Sequence, residues 1–151
     1  MIDHDVAAVA ALSGQLGYPV AADRMAARFQ DLVRDADAAI LVAEEAGRGL
    51  AGWIHVCGRR TLETDACAEI AGLVVDAGFR RQGVGRRLVE AAEGWARERG
   101  YARLRVRSNV TRDVAHVFYP GLGFNKVKSQ HVYERMIDPG IPVRSARDKR
   151  E

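Results

Sequence analysis

The segment EIAGLVVDAGFRRQGVGRRLVEAAEGWARERG, residues 69–100, decides the fold. It opens on the apolar run Ile70–Val75, apolar on both faces as in a strand near a sheet centre. It then turns through Gly78, Gly83 and Gly85 and continues with helical periodicity. Leu88, Ala91, Ala92 and Trp95 form one apolar stripe, Glu93 and Arg97 an i,i+4 pair, and Gly100 a C-terminal stop. Between Asp76 and Glu90 the chain has no acid, yet it holds Arg80, Arg81, Arg86 and Arg87. A helix start carries partial positive charge, so each badly placed cation there costs roughly 0.3–1 kcal/mol. Arginines in a loop are often simply solvated. The other reading is an anion cradle, in which glycines admit a bulky phosphate to free N–H groups and the guanidinium groups add charge.

Two phosphate motifs do not fit. The dinucleotide fingerprint needs a third glycine where Leu88 stands, and several residues separate Val75 from Gly83. The P-loop needs Lys-Ser/Thr after its second glycine; Gly83 is followed by Val84-Gly85.

Working outward, residues 3–17 and 20–36 read as helices split by Gly17-Tyr18-Pro19. Residues 38–45 and 49–58 read as strands joined by a tight turn, 68–76 as a third strand and 102–109 as a fourth. A short helix over 112–119 stops at Pro120, and FNKVKSQHVYERMI, residues 124–137, reads as one or two last strands. Residues 138–151 read as a loose tail. The order predicts a single α/β domain over residues 1–137, a mixed sheet flanked by helices.

The totals fit one domain: 151 residues, 48% apolar and 28% charged. The net charge of +3 admits an anionic ligand without requiring one. No apolar run reaches the roughly 18–20 residues of a membrane span. Acids at Asp3 and Asp5 stand where a secretory signal needs positive charge, so the cytoplasm is the expected address. Cys57 and Cys67 could face each other on neighbouring strands, but free thiols are expected there. No metal site is expected from four scattered histidines and no Cys-x-x-Cys.

Leu73-Val74-Val75 followed by Arg80-Arg81-Gln82-Gly83-Val84-Gly85 resembles the central motif of the GCN5-related N-acetyltransferase (GNAT) superfamily. SNVTRDVAHVFYPGLGF resembles that family's second segment, through Arg112, Ala115, His116, Phe118, Tyr119, Gly123 and Phe124. The resemblance covers about residues 3–137, with its specific motifs in 69–124. It implies a mostly antiparallel sheet with two splayed central strands, and acetyl-CoA as co-substrate. The N–H groups of residues 81–86, with Arg86 among them, would hold the pyrophosphate. The pantetheine arm would lie beside Leu73–Val75, where a backbone N–H polarises the thioester carbonyl. Phe118 belongs to the same matched segment. Many members place an asparagine at the position of Arg112; either Asn109 takes over that contact or Arg112 meets the cofactor's phosphate. Members of this fold often dimerise, so a homodimer is an expectation by resemblance.

Acyl transfer to an amine needs a neutral amine, a stabilised oxyanion and a proton for the leaving thiolate. Direct attack in a ternary complex needs no covalent intermediate. Tyr119 stands where the family places the acid beside the CoA sulfur, although Pro120 behind it disfavours helical angles. Glu69 is the expected base: counting in twos from Val75 through Leu73 and Ala71 puts it on their face. An exposed strand-start glutamate is the alternative. His131, Tyr133, Trp53 and His55 are candidates to line the acceptor pocket. A non-catalytic acyl-CoA-binding protein of the same fold is the rival reading. A nucleic-acid-binding domain is disfavoured, because Arg103, Arg105 and Arg107 have no interleaved aromatics.

Overall fold

A computed structural model describes residues 1–137 of the chain; the expected tail, 138–151, lies outside the described residues. A short turn at Asp3–Asp5 leads into α1 (Val6–Gln15), and α2 (Ala22–Leu32) follows. The break between them is Gly17, left-handed at φ +90°, a conformation that side chains resist. Both helices are shorter than their periodicity predicts.

β1 (Ala38–Glu45) and β2 (Gly49–Arg59) form the expected antiparallel hairpin, with Ala38 opposite Cys57 and Glu45 opposite Gly49. β3 (Cys67–Val75) pairs antiparallel with β2. α3 (Val84–Glu98) then crosses over, and β4 (Leu104–Val106) lies parallel to β3. The sheet order is β1-β2-β3-β4. A parallel neighbour requires such a crossover, and α3 supplies it.

The core lies between this sheet and α3. Ile54, Val56, Ala68 and Ile70 meet Val84, Leu88, Val89 and Ala92, all at most 3% exposed. On the other sheet face, α1 and α2 bury Val9, Leu12 and Phe29.

One irregularity shapes everything downstream. His55 pairs with Gly72 and Val56 with Ile70, so Ala71 is an extra, exposed residue in β3. A bulge bends its strand and increases the local twist. β4 pairs only with Ala68–Ile70, and β3 runs on through Ala71–Val75 with no strand on that side. The two central strands are therefore splayed.

Two expectations fail. The fourth strand is three residues long rather than eight. Residues 124–137 form no strand: they follow α4 (Asp113–Phe118) and a turn at Pro120–Leu122, and Val127, Val132, Tyr133 and Met136 are exposed. Extended propensity alone does not make a strand; a hydrogen-bonding neighbour does.

Candidate active site

The splay opens a cleft of about 1320 Å³ between β3, the start of α3 and α4. Its floor is the open stretch of β3, including Leu73, Val74 and Val75. Asp76 follows, its carboxylate accepting from the Gly78 N–H at 2.7 Å and from Gln15 Nε2 at 2.8 Å. The Gln15 amide oxygen accepts from Ala77 N–H at 3.0 Å, so α1 braces the turn. These bonds, Gln15's first, hold the Asp76 carboxyl below its usual range. Nothing in the local pattern around Gln15 announces this brace.

The turn itself is strained. Arg81 has φ +59° and Gly83 φ +78°, and a left-handed non-glycine residue costs on the order of 1–3 kcal/mol. Such strain gathers at ligand sites, where successive N–H groups curl into an anion-binding concavity. Gly83 begins α3 with no side-chain cap. Among the described residues, no backbone or side-chain acceptor takes the N–H groups of 81–86. These donors, the helix dipole and cationic side chains around them fit a diphosphate.

The four arginines divide. Arg80, Arg81 and Arg86 line the cleft, while Arg87 turns away and pairs with Glu45 on β1 at 3.1 Å. Arg80 Nε also reaches the Val75 carbonyl at 3.4 Å. Gln82 lies outside the lining and donates to the Gly78 carbonyl at 3.1 Å, buttressing the turn. Val84 is 1% exposed and anchors the helix start in the core. A Cβ on Gly85 would stand 3.0 Å from the Phe118 ring and 3.6 Å from Val75 Cγ2. Glycine there lets α4 close against α3, with Phe118 lining the cleft.

Asn109 also lines the cleft, its side-chain oxygen accepting from the Thr111 N–H at 3.1 Å. Arg112 bridges the cleft's other side: Nη2 donates to the Leu16 carbonyl at 2.8 Å, and its guanidinium lies 5.9 Å from the Tyr18 ring centre. That strap between α4 and the α1–α2 loop has no sequence-local signal.

Tyr119 lines the cleft, edge-on to Phe118 and Phe124 at 5.1 and 5.4 Å between centres. Its backbone is helical, φ −67° and ψ −44°, despite Pro120. The steric bias before proline is overcome by the Tyr119 N–H bond to Ala115 and the Leu122 and Phe124 N–H bonds to its carbonyl. Burial pushes the Tyr119 phenol above its ordinary 10.0, with Arg112 opposing.

Glu69 is not on the face of Leu73 and Val75. Those two pack against the α3 core with Ala68 and Ile70, because the extra residue at Ala71 reverses the count. Glu69 instead faces the side of its cross-strand partner Cys57, the face that also carries His55 and Trp53. Its carboxylate sits 3.8 Å from Arg59 and 3.4 Å from Arg107, outside the cleft lining, and Oε2 accepts no hydrogen bond. His131 and Tyr133 stand outside both cavities, on the exposed segment after α4.

A second cavity of about 280 Å³ lies between the α1–α2 pair and the sheet. Val9, Met25, Phe29 and Leu32 give it apolar walls, with Trp53 and His55 on its sheet side. It meets the cleft at Leu16, Tyr18, Ala71 and Gly72, which line both. Cys57 and Cys67 are free, and burial pushes the Cys57 thiol up. Among the described residues no cluster of metal-ligating side chains occurs, and no helix is long and apolar enough to cross a membrane.

Comparison with known proteins agrees with this geometry. Residues 7–124 match the family described as acetyltransferase (GNAT) family. The fold matches aminoglycoside 6'-N-acetyltransferase AAC(6')-IG from Acinetobacter haemolyticus, with TM-score 0.79, 18% identity, and 91% of this chain and 97% of that chain covered. AAC(6')-Ih from Acinetobacter baumannii gives 0.80 at 19% identity, covering 91% and 96%. AAC(6')-Iy, solved with the bisubstrate analogue CoA-S-monomethyl-acetylneamine, gives 0.79 at 18%, covering 91% and 95%. No curated protein matches the chain in sequence. A family match over most of the chain, on a splayed sheet with an unpaired N–H cradle at its helix start, places it: this chain belongs to the GNAT acetyltransferase family.

Proposed function

We propose that the protein is an acetyl-CoA-dependent N-acetyltransferase that uses direct attack by a primary amine, without a covalent intermediate on either cysteine. The observation that carries this reading is the row of unpaired N–H groups at 81–86, ringed by Arg80, Arg81 and Arg86 on the cleft wall. When bound, acetyl-CoA supplies an activated acyl group. The open backbone edge of Leu73–Val75 gives its arm a strand to lie beside and gives the thioester carbonyl an N–H to lean on. Gly83, Val84 and Gly85 form the backbone of the cradle; Asn109, Arg112 and Phe118 hold its opposite wall.

Tyr119 is the proton donor to the leaving thiolate. Its phenol, raised above 10.0, stays protonated through neutral pH, as an acid must. Glu69 is the base. It lies outside the cleft lining, so the amine proton reaches its carboxylate by relay rather than by direct contact. Arg59 and Arg107, at 3.8 and 3.4 Å, hold its carboxylate in place. The free thiols support a cytoplasmic address, and a homodimer remains part of this reading through the family alone.

Calorimetry with acetyl-CoA and a thiol-release assay on amines test the proposal. Tyr119→Phe is expected to lower kcat at least tenfold with acetyl-CoA affinity within twofold of wild type. Because burial raises the Tyr119 phenol, the loss of rate on its deprotonation is expected at higher pH than for an ordinary phenol. Saturable binding without transfer to any amine would favour the non-catalytic reading.

A further inference from the structure

Two side chains that line the second cavity, Trp53 and His55, each carry a buried polar atom without a partner, the indole Nε1 and the imidazole Nε2. A buried donor or acceptor left unmet is costly, so a ligand that meets these two gains affinity by it. Both side chains line a cavity that joins the cleft at Ala71 and Gly72, next to the stretch of β3 that receives the thioester in the proposed mechanism. The indole N–H can only donate. What it wants is an oxygen.

Charge sharpens the choice. Among the described residues, no carboxylate lines the second cavity, where Arg28 is the charged side chain. Among the described residues Asp113 is the sole acid lining the cleft, and with acetyl-CoA's diphosphate on Arg80, Arg81 and Arg86, Arg107 and Arg112 are the lining cations left to face an amine. Glu69, on the same sheet face, is already held between Arg59 and Arg107. A polycation brought here would meet cations and hydrocarbon with too few counter-charges.

We propose that the second cavity is the acceptor pocket, and that it selects a singly charged primary amine with a compact apolar body and a carbonyl or carboxylate oxygen for Trp53 and His55, against polycationic amines. The proposal rests on the acetyltransferase reading and goes further by naming the acceptor class. The amine enters at the junction, with its apolar part between α1, α2 and β2. His55 suits the role: burial holds its imidazole below its ordinary value, so near neutral pH it presents an uncharged ring to the ligand.

The test compares leucinamide, isoamylamine (the same bulk without a carbonyl), spermidine and neamine as acceptors. Leucinamide is expected to exceed each of the others in kcat/KM by at least tenfold. Trp53→Phe should raise its KM about tenfold with kcat and acetyl-CoA binding unchanged, and His55→Leu serves if that variant does not fold. A preference for spermidine or neamine, or no change in either variant, overturns the inference while leaving acetyl transfer intact. If no amine turns over, leucinamide is titrated calorimetrically into the CoA-bound protein. Saturation weakened in Trp53→Phe supports the pocket; no saturation in wild type rejects it. Absence of acetyl-CoA binding would instead remove the underlying reading, and the acceptor class with it.

Discussion

The two halves of β3 differ more than their shared apolar sequence implies. Ala68–Ile70 has a strand on each side, and Glu69 within it is tied by two arginines. Ala71–Val75 has β2 on one side and the cleft on the other. The first half is architecture. The second is a ladder left half-built, and its unused edge is what a ligand can read. Pairing, rather than composition, separates the two.

The sharpest way to break this contrast is at Gly52, which sits opposite Val75. A Cβ there would stand 2.6 Å from the Val74 carbonyl and 3.2 Å from Leu88 Cδ1. Because the open half is held from one side, Gly52→Ala is expected to cost about 3 kcal/mol, the upper part of the overpacking range, by urea denaturation. An unchanged midpoint would mean that β2 does not grip the open half this closely.

Glu69→Gln asks whether the closed half also takes part in chemistry. If the carboxylate relays the amine proton, kcat falls about 100-fold while acetyl-CoA affinity holds. If it only links Arg59 and Arg107, kcat stays put while stability drops modestly.

A smaller effect comes from the turn that follows the open half. Arg86→Ala is expected to weaken acetyl-CoA binding about tenfold by calorimetry, equivalent to about 1.4 kcal/mol. Arg87→Ala should leave binding unchanged and cost at most about 1 kcal/mol of stability, since its ion pair with Glu45 is largely exposed. Equal effects of the two would erase the division among the arginines.

How much of this could be read beforehand follows the same contrast. The strand–turn–helix of 69–100 was legible because its signals are local: apolar faces, glycines, a helical stripe and a charge pile-up at a helix start. Leu73, Val74, Val75, Arg80, Arg81 and Gly83 through Arg86 do gather around one cavity, while Gln82 stays outside its lining. The face of Glu69 was not legible, because the bulge at Ala71 depends on pairing with His55 and Val56, far away in sequence. The Gln15 brace and the Arg112 strap span 61 and 96 positions, beyond any periodicity. The last strands failed for a related reason: alternation in 124–137 reports what a segment prefers, not what stands beside it.

Ala71 has one more consequence. With it set aside, Ala68, Ile70, Leu73 and Val75 alternate without a fault toward α3, so the core neither uses the extra residue nor registers its presence. A single insertion that packing ignores is enough to turn a continuous sheet into a receptor. The hydrophobic interior and the recognition slot can therefore diversify separately, although they share one strand.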